Sequence, residues 1–161
     1  MHTENAIVIH ADPHTIYTLA AAVERWPALL SHYRWVRVLR QDGHRRLVEM
    51  AAHRDGIPVR WWAVQSCYPD VPRITFRHVR GVTRGMAVEW SFTPGRRGVR
   101  VVIHHELRLR WPLVGGLVAD WIIGPLFVAN IAGKTLLRIK QLAEATERER
   151  LPGGARMGEL P

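Results

Sequence analysis

The fold of this chain depends on one apolar stretch near its C-terminal end, Trp111-Pro-Leu-Val-Gly-Gly-Leu-Val-Ala-Asp-Trp-Ile-Ile-Gly-Pro-Leu-Phe-Val-Ala-Asn130. Its only ionisable side chain is Asp120. Beyond it, Leu136, Ile139 and Ala143 recur at helical spacing, which predicts an amphipathic helix. A long apolar helix needs a second layer to cover its apolar face. Taken alone, the stretch could cross a membrane, lie in a core or form one wall of an apolar pocket.

A membrane span is disfavoured because the apolar run is interrupted. A span needs about 20 continuous apolar residues, whereas Gly115, Asp120 and Gly124 break this run. We expect an apolar lid from Leu113 to Ile123, followed by a helix from Pro125 to about Arg148. The excess of apolar residues in the lid predicts a hydrophobic ligand and a transient contact with a membrane surface.

Upstream of this stretch, the pattern indicates short strands. Period-two alternation and turn residues predict a first strand at 6–10 and six more at 33–40, 47–53, 59–67, 74–79, 86–92 and 99–109. After the first strand, Asp12-Pro13 begins a helix, and Trp26-Pro27 interrupts it before a short second helix at 28–30. The predicted fold is α+β, a curved seven-stranded antiparallel sheet that grips the C-terminal helix.

Length and composition predict one globular domain. The chain has 161 residues, of which 47% are hydrophobic, enough for a core. We place the domain at 1–148 and a flexible tail at 149–161. The N-terminal residues lack the features of a secretory signal, and Cys67 is the single cysteine, so a cytoplasmic location is expected.

Charge and motifs exclude several classes of function. The net charge is +9, and all 23 basic residues except Lys134 and Lys140 are Arg, but they are scattered along strands, so nucleic-acid binding is disfavoured. His104 and His105 point to opposite faces of a strand, and no metal-ligand spacing is present, so no metal is expected. Phosphate-binding, dinucleotide-binding and hydrolase motifs are absent, and no cofactor is expected.

Five segments, together with the order of elements, resemble a known superfamily. They are Glu24-Arg-Trp-Pro-Ala-Leu-Leu-Ser-His-Tyr33, Val38-Leu-Arg-Gln-Asp-Gly43, the strand of Trp61, Met86-Ala-Val-Glu-Trp90 and Leu137-Arg-Ile-Lys-Gln-Leu142. The chain resembles the START-like (SRPBCC) helix-grip superfamily over about residues 5 to 146, in particular the polyketide cyclase/aromatase and coenzyme-Q-binding-like branch. The resemblance implies an internal cavity for a hydrophobic ligand and, in aromatase-type members, the folding and aromatisation of a polyketide.

The resemblance also implies pocket positions. Trp26, Leu30, Tyr33, Trp61 and Trp90 match pocket residues of aromatase-type members. Late in the Trp61 strand, where such members carry an Arg, this chain has Cys67, and their second Trp of that strand is displaced to Trp62. A further basic position matches Arg77 or Arg80.

Strand alternation adds candidates. On 99–109, the face with Ile103 and His105 is inward by composition, so His105 is either a neutral base in a pocket or a core histidine with one hydrogen bond. On 74–79 and beyond, Arg80 shares a face with Phe76 and His78, and it either aims at a ligand carbonyl or lies in solvent. Trp61 and Trp90 either clamp a flat ligand or belong to an ordinary core.

The predicted catalytic residues are Tyr33, Arg80 and His105, acting as acid/base and oxyanion groups in aldol cyclisation and dehydration. The predicted ligand-binding residues are Trp26, Leu30, Val36, Val38, Trp61, Gln65, Cys67, Phe76, His78, Met86, Val88, Trp90, Ile103, Trp121, Leu126 and Asn130. Asn130 could equally face solvent.

The leading prediction of function is a polyketide cyclase/dehydrase-like protein that binds an aromatic, polyketide or polyprenyl-like molecule. The first alternative is a non-catalytic lipid or quinone carrier of the same fold. The second is a basic interaction module that uses its Arg surface. The sequence leaves a monomer and a homodimer open.

Overall fold

The structure, a computed structural model, describes residues 2–54, 56–81, 83–107 and 125–150. The strands are β1 (His2–Ile9), β2 (Tyr33–Asp42), β3 (Arg45–Arg54), β4 (Ile57–Tyr68), β5 (Arg73–Gly81), β6 (Met86–Gly95) and β7 (Gly98–Leu107). The helices are α1 (Pro13–Ala21), α2 (Trp26–Leu29) and α3 (Pro125–Arg150), with a 3-10 turn at Val23–Arg25. The predicted α+β helix-grip architecture is confirmed.

The seven strands form one antiparallel sheet in the order β1-β7-β6-β5-β4-β3-β2. Strands β2 to β7 pair with their neighbours in the chain, and β1 pairs with β7 in a register that joins Ile7 to Val101. Tight turns connect β2 to β7, because antiparallel neighbours need only short connections. The sheet therefore presents one continuous face toward the helices.

Helix α3 covers that face with the stripe predicted from the sequence. Ala132, Leu136, Ile139 and Ala143 recur at helical spacing, and all four are buried. The helix packs mainly on β1 and α1. It ends at Arg150, two residues beyond the predicted end at about Arg148.

Helix α1 begins where Asp12-Pro13 predicts. The Asp12 carboxylate accepts a hydrogen bond from the Thr15 backbone N–H at 2.9 Å and caps the helix, and Pro13 needs no donor in the first turn. The second helix starts earlier than predicted, at Trp26, because Pro27 is tolerated in a first turn. The Trp26 indole N–H donates to the Leu19 carbonyl at 3.2 Å, which fixes the ring beneath α1.

Several predictions fall outside the described residues. They concern the lid at 113–123 with its membrane contact, Trp121, the Leu126 side chain, the strand residues 108–109 and the tail 151–161. Within the described part of the chain, none of the helices combines the length and apolarity that a membrane crossing requires.

Position 81, at the end of β5, requires a glycine because the backbone there lies close to β4. Its φ is +95°, and a Cβ there would lie 2.4 Å from the Arg60 carbonyl oxygen. We expect Gly81→Ala to destabilise the fold by more than about 2 kcal/mol. The strain of a positive φ and the steric clash of the new Cβ with the β4 backbone both raise the free energy of the folded state. Urea unfolding measures the change.

Gly43→Ala is the matched control for this substitution. Gly43 also has a positive φ, of +53°, but a Cβ added there would have no neighbour within 4 Å. Strain alone predicts a loss of about 1–2 kcal/mol there. Equal losses at both positions would contradict the packing explanation for Gly81.

Candidate functional site

A cavity of about 70 Å³ lies between the inner face of the sheet and α3. Its volume is several times the roughly 10–15 Å³ that one water molecule needs. Most of the lining surface is apolar, with a few polar groups, as is usual for small-molecule sites. The lining residues are Trp26, Tyr33, Met50, Trp61, Phe76, His78, Thr83, Met86, Val88, Trp90, Ile103, His105, Ile131, Ala132 and Thr135.

Aromatic rings form a continuous wall of the cavity. The Trp26 ring lies 5.0 Å from the Tyr33 ring and 6.0 Å from the Trp90 ring, between centroids. Tyr33 is in turn 6.2 Å from Trp61. Rings at these tilted and edge-on distances attract one another beyond their burial. The wall therefore presents aromatic surfaces that suit a flat, apolar ligand.

His105 is the polar group of β7 that faces the cavity. The side chain is 7% exposed, and among the described residues its Nδ1 atom has no hydrogen-bond partner. Burial, with a smaller effect from His104, lowers the pKa of His105 to about 4. The ring is therefore neutral at pH 7, and its Nδ1 is a buried polar atom in the cavity wall whose hydrogen-bonding capacity is unused.

His78 on β5 is a second neutral imidazole in the wall. Its Nδ1 is 2.6 Å from the Thr83 hydroxyl, and its ring stacks on Trp61 at 5.9 Å. Burial, followed by the effect of His105, lowers the pKa of His78 to about 3. The turn after β5 brings Thr83 back under the sheet, since Met86 N–H donates to the Thr83 carbonyl.

Tyr33 and Thr135 supply two hydroxyl groups on the helix side. Burial raises the pKa of Tyr33, so the phenol keeps its proton. The Thr135 hydroxyl donates to the Ile131 carbonyl at 2.8 Å and lies 3.0 Å from His32 Nε2. Burial, with a smaller effect from Lys134, lowers the pKa of His32 to about 4. The protonated phenol, which also interacts with the Thr135 hydroxyl, is a hydrogen-bond donor in the cavity lining.

Arg80 does not lie where alternation predicts. Trp62 pairs with Arg80 and Ala63 with His78, so Val79 is an extra residue in the β4–β5 ladder. An extra residue turns the following side chain to the other face. Arg80 is exposed, with its guanidinium 4.9 Å from the Trp62 ring on the outer face of the sheet.

Six predicted ligand-binding residues lie outside the cavity lining. Gln65 and Cys67 follow Trp61 on the inward face of β4, but that face continues past the cavity toward α1, and Gln65 Nε2 donates to the Ala21 carbonyl at 2.9 Å. Leu30 is buried in the core near Trp26. The others are Val36 and Val38, on the edge strand β2, and Asn130, which is half-buried one residue before the cavity residue Ile131.

Five lining residues were not predicted. Met50 could have been found from the alternation of β3, because it lies two residues from Val48 and both side chains are buried on the inner face. Ile131, Ala132 and Thr135 occupy one helical face, which the apolar stripe of α3 suggests. Thr83 lies in a turn, and no periodic signal precedes it.

The buried histidines predict a loss of stability in weak acid. His78 stays neutral in the folded protein to about pH 3 and His105 to about pH 4, whereas an unfolded histidine binds a proton below about 6.5. Stability is therefore complete above pH 6.5 and falls as the pH drops toward 4. Urea midpoints at about pH 7.5 and about pH 5 measure the difference.

The double variant His78→Phe/Thr83→Val is the control for this pH dependence. It removes both partners of a buried hydrogen bond, so neither is left unsatisfied. We expect a smaller loss of stability between the two pH values than in the wild type. An unchanged loss would mean that other groups carry the pH dependence.

Together, the sheet, the gripping helix and the aromatic cavity between them define a helix-grip ligand-binding domain. Residues 9–122 match the family described as polyketide cyclase / dehydrase and lipid transport, and the chain belongs to that family. Among the described residues, no group of three or more His, Cys, Asp or Glu side chains could hold a metal ion.

Three similar proteins carry related names. A Streptomyces halstedii protein with the provisional name polyketide cyclase is 31% identical over 101 residues, 61% of this chain and 93% of that protein. The granaticin polyketide synthase bifunctional cyclase/dehydratase of Streptomyces violaceoruber is 29% identical over 107 residues, 65% of this chain. The chain spans only 33% of that relative.

The third is a solved structure, the Zhui aromatase/cyclase from Streptomyces sp. R1128. It superposes with a TM-score of 0.74 at 19% identity, over 96% of this chain and 99% of that one. At this identity the likeness establishes the fold alone, which is the predicted START-like helix grip.

Proposed function

We propose that the protein binds a poly-β-ketone or a related aromatic molecule in this cavity and promotes its aldol cyclisation and dehydration. The observation that carries the proposal is the unpartnered His105 Nδ1 in the wall of a mostly apolar, aromatic cavity. A buried polar atom without a partner costs free energy. A ligand oxygen or an acidic C–H group beside it would offset that cost.

The chemistry follows from three groups. Neutral His105 takes a proton from a methylene carbon between two carbonyls, and the resulting enolate carbon attacks a second carbonyl to form the ring bond. The Tyr33 phenol donates to the oxygen that becomes negative. The imidazolium then returns its proton to this alkoxide, which becomes a hydroxyl group on the ring carbon. In the dehydration, neutral His105 takes the second proton of the attacking carbon and passes it to that hydroxyl as the C–O bond breaks, so a C=C bond and water form and the histidine ends neutral. His78 would orient the ligand through Nε2, the ring nitrogen that does not contact Thr83.

The low pKa of His105 does not exclude this role. The value of about 4 belongs to a buried ring with no counter-charge. An enolate formed beside the ring is an opposite charge, which favours the protonated imidazole and raises its pKa during the reaction. The neutral resting state keeps the nitrogen lone pair available at pH 7.

This chain has Cys67 where aromatase-type relatives carry an Arg late in β4, so carbonyl polarisation would depend on Tyr33 and the histidines.

A cytoplasmic location, a lid contact with membranes and the monomeric or dimeric state stay predictions.

The test is to incubate the purified protein with a synthetic poly-β-ketone thioester and to measure cyclised products by liquid chromatography and mass spectrometry. We expect one regioisomer to form faster than the spontaneous mixture. If the product mixture and rate equal those without protein, while quinones or naphthols still raise the melting temperature, the protein is a carrier. Absence of both effects would contradict ligand binding in this cavity.

A further inference from the structure

A cluster of arginine and tryptophan side chains occupies the outer face of the sheet, on the side away from the cavity. The guanidinium of Arg37 lies 4.6 Å from the Trp35 ring, and that of Arg60 lies 4.5 Å from the Trp62 ring. Arg80 contacts the same Trp62 ring at 4.9 Å. We call these residues, Trp35, Arg37, Arg60, Trp62 and Arg80, the Arg/Trp patch.

Sheet register explains how the patch forms. One cross-strand row runs from Arg37 on β2 through Glu49 and Trp62 to Arg80 on β5. In the neighbouring row, Ala51 separates Trp35 from Arg60, and its small side chain lets the Arg60 guanidinium approach the Trp35 ring to 5.5 Å. The extra residue Val79 brings Arg80 into the first row.

The guanidinium groups lie over indole rings and remain accessible. A contact with the indole face leaves the N–H edges of a guanidinium able to bind a carboxylate or phosphate; on Arg60, Nε and Nη2 already donate to Glu49. The side chains of Arg37 and Arg60 are 65% and 56% exposed. Glu49, at the base of the patch, is buried and forms ion pairs with both. The patch therefore already binds one carboxylate.

Charge is unevenly distributed over the outer face. On β1, β6 and β7, acidic and basic groups pair, as in Arg100 with Glu4 at 3.3 Å and Arg73 of β5 with Glu89 at 3.8 Å. On β2 to β5, Arg40 and Arg77 lie in the next row beside the patch. Among the described residues, Glu49 is the carboxylate that pairs with the patch, so this half of the face keeps an excess of positive charge.

These features favour one class of partner. Single-stranded nucleic acid binds by stacking bases on open aromatic faces, but here the guanidinium groups already stack on both indoles. A second copy of this chain would bring two positive patches together. Guanidinium edges match carboxylates in geometry as well as charge.

We propose that the Arg/Trp patch is a docking surface for an acidic protein helix, whose carboxylates bind the guanidinium groups of Arg37, Arg60 and Arg80. The Cβ atoms of residues at i and i+4 on a helix are about 5–6 Å apart, close to the roughly 4.7–4.9 Å spacing of neighbouring strands. One acidic face of a helix can therefore engage Arg60 and Arg80 on the adjacent strands β4 and β5. A further carboxylate about two helical turns along can engage Arg37 on β2, which is two strands from Arg60. This inference is independent of the reaction in the cavity.

The test measures binding of a synthetic helical peptide of about 20 residues with Glu at i and i+4 positions. Affinity is determined by fluorescence anisotropy at low and at physiological salt. The variant R37Q/R60Q/R80Q removes three charges of the patch, and R96Q/R97Q/R100Q removes three from the β6–β7 end. The variant R37K/R60K/R80K keeps the charge but lacks the planar guanidinium group, which can form two parallel hydrogen bonds to a carboxylate. Circular dichroism and thermal melts verify the fold of each.

We expect the patch Gln variant to raise Kd about tenfold, the control variant less than about threefold, and the Lys variant to bind several-fold more weakly than wild type. Equal losses in the two Gln variants, or wild-type affinity in the Lys variant, would show only diffuse attraction and overturn the proposal. Tighter binding of oligodeoxythymidine or of phosphatidylglycerol vesicles than of the peptide would overturn the choice of partner.

Discussion

Replacing His105 by leucine is expected to lower the rate of poly-β-ketone cyclisation about 10²–10⁴-fold, the range that a positioned acid/base group contributes. Leucine is close in volume and cannot accept a proton. The product that remains should form with the spontaneous mixture of ring closures, because the cavity then binds the chain without activating one methylene. Rate and regiochemistry are measured by the thioester assay described above.

The same variant is expected to keep its stability. The His105 Nδ1 atom has no described hydrogen-bond partner in the folded protein, so the substitution removes an unsatisfied buried group rather than a bond. We expect the free energy of unfolding at pH 7 to change by less than about 1 kcal/mol. Loss of activity without loss of stability separates a catalytic histidine from a structural one.

His104→Leu is the matched control. His104 is the preceding residue on the same strand, but it faces outward, where its Nδ1 lies 3.5 Å from the Glu4 carboxylate. We expect this variant to cyclise the substrate at the wild-type rate. If both variants are inactive, or if His105→Leu is fully active, the role proposed for His105 is wrong.

The sequence was a good guide where a periodic pattern is unbroken. On β7, strict alternation placed Ile103 and His105 on the inner face, and both line the cavity. On α3, helical spacing identified the buried stripe that begins at Ala132. In both cases the apolar face must be covered, so the pattern records burial directly.

The sequence was a poor guide where the pattern is broken by geometry. The bulge at Val79 moves Arg80 from the inner to the outer face, and a one-residue insertion into a ladder leaves no mark in composition. The contact of His32 with Thr135 joins residues 103 positions apart. Such a contact depends on how α3 lies across the sheet, which periodicity within one element does not determine.

The alternation of the strands also could not predict how far the cavity extends along the inner face. Alternation on β4 correctly assigns Trp61, Ala63 and Gln65 to one face, yet of these three only Trp61 lines the cavity. The inner face of the sheet is longer than the space that α3 leaves open. Beyond Trp26, side chains from α1 and α2 fill it, and Gln65 bonds to the end of α1. A face can be predicted from sequence, whereas a void requires the packing of both layers.

Trp26→Ala is expected to give the largest loss of stability, about 3–5 kcal/mol, as for other fully buried aromatic residues. Trp26 is 3% exposed, packs on the rings of Tyr33, Phe76 and Trp90, and bonds to the Leu19 carbonyl. It therefore joins α1, α2 and the sheet at the wall of the cavity. In a chain of this size, the melting temperature should fall by roughly 6–20 °C.

Trp62→Ala is the control for the loss of an indole. Trp62 lies half-buried on the outer face, where its contacts are the stacked guanidinium groups of Arg60 and Arg80. Two exposed cation–π contacts contribute about 1–2 kcal/mol together, so this variant should lose less than half as much. Comparable losses in the two variants would contradict the assignment of Trp26 to the core.

Added indole should distinguish an open void from a collapsed one in the Trp26→Ala variant. The deletion enlarges a cavity whose other walls are Tyr33, Phe76 and Trp90, and an apolar void of this kind binds small aromatic molecules. A ligand that binds only the folded state raises its stability in proportion to the logarithm of its concentration. We expect millimolar indole to raise the melting temperature of Trp26→Ala by several degrees more than that of the wild type. An equal rise in the melting temperature of the two proteins would mean that α1 and α2 have moved onto the sheet and filled the space left by Trp26. Trp26 would then contribute to the cavity wall without keeping the helices apart from the sheet.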